Sequence, residues 1–213
     1  MIRLNLGSGI LLLKDYINVD MAFSYDDLKN GMGKKNNIYK DAVIQEEAKF
    51  VQASILKLPF KDNYADVAEM HQVVEHFRIR DVIPAFKEVY RVLKKGGKLI
   101  LTTPNFNALC LEWINMITHP SNGFNIDLWT LKAEEFYGNQ ANDAETHRCP
   151  MTPEFLIYSL NHAGFHDTIG KVVIFPLYGE LPQKGYGLVS KYIRDNKMPY
   201  KFRTETIYME VIK

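Results

Sequence analysis

His71, Glu75 and His76 fall close together in "MHQVVEHF", residues 70 to 77. Side chains of these types move protons or hold cations: imidazole ionises near neutrality, and a carboxylate accepts a proton or coordinates a metal. At i, i+4 and i+5 the three would cluster if the segment is helical. The spacing suits a general base, a ligand set, or a helix start whose polar groups meet backbone and solvent. His147 opens "HRCPMTPEF", where a long irregular stretch gives way to a helical pattern. It is either an acceptor-facing base or a loop-end residue. Arg148 beside it could bind an anionic substrate. His119, Tyr137 and Asp143 are further polar candidates. The expectation is catalysis through His71, His76 or His147, without a metal.

A second constellation lies in "RLNLGSGILLLKDYINVD", residues 3 to 20. Gly7, Ser8 and Gly9 follow an apolar run, and Asp20 ends another. At the end of a parallel strand, residues without a Cβ let backbone amides approach a nucleotide-like ligand. An acid at the end of the next strand can accept hydrogen bonds from ribose hydroxyls. Asn5 or Ser8 could add polar contacts. The third glycine of the dinucleotide pattern is missing. A plain glycine turn between buried strands is the alternative.

These residues need a scaffold. Strand patterns cover Ile2–Leu6, Tyr16–Val19, Phe50–Gln52, Asp66–Met70, Lys98–Thr103, Lys171–Phe175 and Thr206–Val211. Asp81–Lys95 repeats apolar residues every three to four positions, with Pro84 expected in its first turn and Gly96-Gly97 after its end. "TPEFLIYSLNHAGF" adds a helix capped by Thr152, with Pro153 at its first position and Gly164 at its end. Alternating strands and helices predict an α/β, doubly wound, mostly parallel sheet of seven strands in a single domain over 1–213. Tyr25–Asp41, rich in Gly, Asn and Lys, predicts a surface loop or mobile flap. Residues 106–148 part the fifth strand from the next helix by far more than an ordinary loop. They predict a partly helical substrate cap, whose Trp113, Phe124, Trp129, Phe136 and Tyr137 either stack on an acceptor or form a small core.

The pieces, in this order, resemble the class I S-adenosylmethionine-dependent methyltransferases. The resemblance rests on "LNLGSG", "YINVD", "LPFKDNYAD", "MHQVVEHF", "EVYRVLKKGGKLILTTPN" and "MTPEFLIYSLNHAGF". It implies a Rossmann-like fold with S-adenosylmethionine lying over Leu6, Gly7, Ser8 and Gly9 and its ribose on Asp20. His71 would lie near the methionine moiety, and Leu58-Pro59-Phe60 near the adenine. Many relatives bind adenine with an acid after the third strand. Ala53 and Ser54 stand there, with Ile55 next, so a hydroxyl or backbone group would serve. Gly7 to Tyr16 leaves room for only a turn or two of the usual first helix, and no helix precedes the first strand. Closure over the cofactor would then fall to Tyr25–Asp41, the cap or a second subunit, which allows a homodimer.

Composition narrows the partners. Lys+Arg number 26 against 25 Asp+Glu, so no basic field draws nucleic acid or an anionic membrane. With 46% hydrophobic and 24% charged residues, the chain has the make-up of an ordinary soluble domain. Cys110 and Cys149 make neither a disulfide framework nor a metal knuckle, so a reducing, cytoplasmic compartment is expected. No signal peptide and no membrane span is evident. The expected activity is methyl transfer to a small-molecule or sugar-containing acceptor. A non-catalytic domain of the same fold and an NAD- or nucleotide-sugar-dependent enzyme are the alternatives.

Overall fold

A computed structural model describes residues 1–31, 43–118, 126–138, 140, 143–166, 169–174 and 206–213. The order along the chain is β1 (Arg3–Leu6), β2 (Leu11–Leu12), β3 (Ile17–Asp20), α1 (Tyr25–Gly31), β4 (Val43–Ile44), β5 (Lys49–Gln52) and β6 (Ala65–His71). Then come α2 (Ile79–Val92), β7 (Leu93–Pro104), α3 (Phe106–Thr118), α4 (Ile126–Tyr137), α5 (Pro153–Ala163), β8 (Ile169–Ile174) and β9 (Thr206–Ile212). Seven strands form one sheet in the order β5-β3-β1-β6-β7-β9-β8. Only β9 runs antiparallel to its neighbours. The α/β, mostly parallel, seven-stranded architecture read from the sequence is therefore the one observed. No helix among the described residues is long and apolar enough to cross a membrane.

Alternation along the strands sorts the two faces of the sheet. Leu4, Leu6, Val19, Ala68, Met70, Leu99, Leu101, Ile207, Met209 and Val211 are fully buried on one face. They pack with Val82, Phe86 and Val89 of α2 and Leu156 and Leu160 of α5. The register Asn5↔Asn18, Asn5↔Glu69, His71↔Thr102 and Thr102↔Tyr208 carries a buried polar row on the other. α5 begins and ends as its sequence predicts. Thr152 Oγ1 accepts from Phe155 N at 3.2 Å, and Gly164 takes φ +112°.

Several expectations need correction. The crossover from β1 to β3 contains no helical turn but the strand β2, which pairs with β4 in a separate two-stranded parallel sheet. Leu11 and Leu12 are both buried, and neighbouring side chains point to opposite sides only in an extended chain. Asn5 Nδ2 and Leu13 N clamp the segment by donating to Leu11 O and Asn18 Oδ1, at 3.1 and 2.9 Å. Tyr25–Gly31, expected as loop, is α1: Ser24 Oγ accepts from Asp27 N at 3.1 Å, and Leu28 packs on Leu12 and Phe23. The remainder of that expected flap, 32–41, lies outside the described residues.

α2 starts at Ile79, so Pro84 falls inside the helix rather than in its first turn. Leu93 turns extended before Gly96-Gly97 is reached, and the two glycines sit in an irregular stretch of β7. Gly96 has φ +77° and donates its N–H to Lys213 O at 2.8 Å, tying the last residue of the chain to β7. Residues 106–148 hold α3, α4 and a 3-10 turn at Asp143–Glu145. Trp113 packs against Trp129 and Phe136, with centroids 5.9 and 5.5 Å apart, and Phe106 meets Phe136 at 5.6 Å. Those aromatics form a small core of their own, although Trp129 keeps 40% of its surface exposed. Phe124 and His119 lie outside the described residues.

Candidate active site

Two neighbouring assemblies occupy the C-terminal ends of the parallel strands, the edge where open α/β sheets bind ligands. The first is the glycine turn. Gly7 takes φ +70°, and a Cβ there would come within 2.6 Å of the Val73 side chain, so only glycine fits. Gly9 takes φ +52°, but a Cβ there would meet nothing within 4 Å among the described residues, which leave this side of the turn open. Gly7 N and Ser8 N both donate to Val19 O, at 2.7 and 3.1 Å. Asp20 locks the turn from β3, accepting from Gly9 N at 2.9 Å through Oδ2 and from Ala22 N at 2.8 Å through Oδ1. Burial raises the Asp20 carboxyl above the usual carboxylate range, and the backbone N–H groups of Gly9 and its own loop pull it back. Met21 N and Phe23 N act on it as well, so the carboxyl is held by its own loop as much as by Gly9.

The other predicted cofactor residues lie around this turn. Leu6 is in the sheet core. Ala53 N donates to Asp20 O at 3.0 Å, which brings the end of β5 beside β3. Ser54 Oγ then caps the 3-10 turn Ile55–Lys57 by accepting from Leu56 N at 3.2 Å, and Ile55 is buried in the main core. Ser8 Oγ is buried without a hydrogen-bond partner among the described residues. An open side, an acid at the strand end and an orphaned hydroxyl are the features that a ribose and an amino-acid tail would use, so the residues fit S-adenosylmethionine.

The second assembly follows β6, and it divides the histidines. The helix that would have joined His71 to Glu75 and His76 does not form. His71 ends β6, Gln72 takes φ +55°, and Val74–His76 make one 3-10 turn. His71 is held on the polar face of the sheet, with Nδ1 3.2 Å from Thr102 Oγ1 and Nε2 3.0 Å from Glu69 Oε2. Glu69 Oε1 in turn accepts from the Tyr16 hydroxyl at 2.6 Å. Both ring nitrogens of His71 thus serve an internal network. Burial and the Glu69 carboxylate push the Tyr16 phenol well above its usual range.

Glu75, His76 and His147 come together instead, with one carboxylate oxygen and one ring nitrogen of each histidine all within 4.8 Å of one another. The link is the chain's return from the 3-10 turn at Asp143–Glu145. Arg148 N and Cys149 N donate to Glu75 O, at 2.7 and 3.0 Å. His76 Nδ1 meets Thr146 O at 3.1 Å, and His147 Nδ1 meets Glu135 O at 3.0 Å. The two imidazoles stand edge to face, 4.9 Å between centroids. Glu75 is 2% exposed, with Thr103 Oγ1 donating to Oε2 at 2.9 Å. Its Oε1 has no partner among the described residues. Burial pushes the Glu75 carboxyl up to about 8, and burial lowers His76, aided by the Arg148 charge. Arg148 is itself paired with Asp143 at 2.5 Å.

Sequence reasoning singled out Glu75 but not Thr103, which orients it, nor Glu69, which anchors His71. The Glu69 signal was present: in "ADVAEMH" Glu69 and His71 lie two residues apart, on one face of a strand whose second half is buried.

Comparison with known proteins follows this geometry. Residues 7–101, from the glycine turn to the middle of β7, match the family described as "Methyltransferase domain". An uncharacterized protein of Methanocaldococcus jannaschii is 33% identical over 47% of this chain and 46% of its own length. An uncharacterized methyltransferase of Schizosaccharomyces pombe is 30% identical over 40% of this chain and 30% of its own. The matches thus span less than half the length of these relatives. A SAM-dependent methyltransferase structure from Archaeoglobus fulgidus superposes with TM-score 0.54 at 18% identity, covering 99% of this chain and 85% of that one. A possible histamine N-methyltransferase from Thermotoga maritima gives TM-score 0.53 at 18% identity, covering 100% and 82%. At such identities the superpositions establish the fold.

Proposed function

We propose that this chain, whose residues 7–101 match a methyltransferase domain, is an S-adenosylmethionine-dependent enzyme that transfers a methyl group to a small-molecule or sugar-containing acceptor by in-line displacement. The cofactor supplies an already activated methyl group. What is left to the protein is to hold the donor, align the acceptor and exclude water. Gly7, Ser8 and Gly9 form the floor under the donor, Asp20 takes its ribose hydroxyls, and Ser54 stands at the adenine end. His71, fixed between Glu69 and Thr102, shapes the wall beside the turn. Glu75, His76 and His147 face the acceptor, where an imidazole can take its proton, and α3 and α4 cover that side. Arg148, held by Asp143, offers an anionic acceptor a charge.

The observation that carries this reading is the Gly9–Asp20 pair, a turn open on one side among the described residues and locked on the other by a buried acid at the end of β3. Titration calorimetry with S-adenosylhomocysteine tests it. We expect micromolar binding that Asp20→Ala weakens by about 1–3 kcal/mol, the worth of one or two hydrogen bonds to a charged group. Absence of binding to the wild-type chain would refute the reading.

A second reading, a cofactor-binding domain without turnover, draws on a different observation. The N–H groups of Gly7 and Ser8 are already committed to Val19 O, which leaves fewer donors for aligning the donor's tail. Transfer of labelled methyl to a panel of sugars and small hydroxyl- or amine-bearing molecules separates the two. Binding with no transfer to any of them favours the second.

A further inference from the structure

The cluster after β6 has the make-up of a cation site more than that of a bare acid–base pair. A neutral imidazole whose Nδ1–H is given to a backbone carbonyl must carry its lone pair on Nε2, and this is how metal-ligating histidines are usually held. His76 and His147 are both oriented in that manner, by Thr146 O and Glu135 O. The carboxylate beside them is similarly braced, with Thr103 Oγ1 on one oxygen and nothing among the described residues on the other. A hydrogen-bonded polar group buried to 2% exposure with an orphaned oxygen is costly unless something fills that valence. The backbone also fixes the separation of the two parts, since Arg148 N and Cys149 N hold the residue after His147 and its neighbour against Glu75 O.

We propose that Glu75, His76 and His147 bind a single first-row divalent cation of the zinc class. Two imidazoles and one carboxylate are a ligand set that zinc accepts while keeping a position open. Ligand atoms on a tetrahedral zinc, bonded at about 2.1 Å, stand about 3.4 Å apart. The three groups here, within 4.8 Å of each other, must draw together by about 1 Å or a little more. Small rotations of the three side chains, within the play their hydrogen bonds allow, would have to close that gap. Arg148 opposes a cation, but Asp143 offsets its charge at 2.5 Å. Three protein ligands leave room for an oxygen or nitrogen of the acceptor. This last step, and only this one, rests on the methyltransferase reading, and it makes acceptors able to coordinate a cation the preferred class.

The test uses the full chain freed of metal by chelation, without cofactor. Zn²⁺ is added in a calorimeter, and Co²⁺ is followed by its visible absorption. We expect one equivalent of each, with affinity at least about tenfold weaker in His147→Ala and in Glu75→Gln. His162→Ala, an exposed histidine on α5, serves as the control that leaves affinity unchanged. Glu75→Gln keeps an acceptor for Thr103, so it decides the matter should His147→Ala fail to fold. No stoichiometric binding, or binding indifferent to both variants, overturns the proposal. Because S-adenosylhomocysteine binding is measured separately, a missing cation site and a missing cofactor site give different results.

Discussion

Two histidines five residues apart, His71 and His76, meet opposite fates. His71 is the middle of a closed circuit running from the Tyr16 hydroxyl through Glu69 and its own ring to Thr102. The hydroxyls, the carboxylate and both ring nitrogens along that line meet one another inside the fold. His76 belongs to an open one, in which two rings are braced by carbonyls while a buried carboxylate oxygen has no partner among the described residues. The closed circuit can be read as structure and the open one as a place for something the protein binds. The difference comes from Gln72, whose φ of +55° turns the chain off the strand and sends the next residues towards His147 instead of back along the sheet.

The comparison breaks most sharply at Glu69. Glu69→Ala strips the acceptor from Tyr16 and from His71 Nε2 at once, in a region where both partners are buried. Removing one member of such a pair costs about 3–5 kcal/mol, so urea unfolding should show a loss of that size. If stability barely moves, the circuit is not the structural element described here. His147→Ala should behave in the opposite sense. Its contact with Glu135 O lies at a partly buried site and is worth about 1 kcal/mol of stability, yet methyl transfer should fall by about a hundredfold or more. Equal loss in both measurements would mean that His147 merely holds the return of the chain.

The two glycines of the turn extend the contrast to the cofactor side. Gly7→Ala must place a Cβ against Val73 and hold a positive φ, and the two together should cost about 1–3 kcal/mol of stability. Val73→Ala in the same chain should return part of it, since the nearest atoms are that side chain's methyls. Gly9→Ala meets no atom. It should cost the fold only its backbone strain, about 1 kcal/mol, while its methyl fills the open side and weakens S-adenosylhomocysteine binding. Melting curves with and without S-adenosylhomocysteine separate the two effects.

Most of the sheet was legible in the sequence because strand periodicity is local: β1, β6 and β7 are apolar on one face whatever their neighbours do. The glycine turn and its contact with Asp20 lie within one short crossover, so their place at two adjacent strand ends could be read from the sequence, though a plain turn would look the same there. What escaped depended on contacts distant in sequence. Leu11 and Leu12 form a strand only because Val43 and Ile44 lie alongside. α1 hid in a polar stretch because its support is one capping serine and one leucine seated on Leu12 and Phe23. Glu75 and His76 were noticed as a pair with His71, their true third partner being His147, more than seventy residues on. No spacing rule reports a contact of that range.

Ser8→Ala should have the smallest effect on the fold and the most specific one on binding. Its hydroxyl is buried with no partner among the described residues, so the free protein already bears the cost of desolvating it. Replacing it with a methyl removes an unsatisfied group without opening much space. Stability should therefore change by no more than about 0.5 kcal/mol, with a slight gain as easily as a loss. If a ligand takes up that orphaned valence, S-adenosylhomocysteine affinity in the variant should drop by about 1 kcal/mol, roughly fivefold. A Ser8→Ala chain that binds as tightly as wild type would show that the cofactor passes the turn on its Gly9 side, touching Asp20 and leaving Ser8 buried behind it.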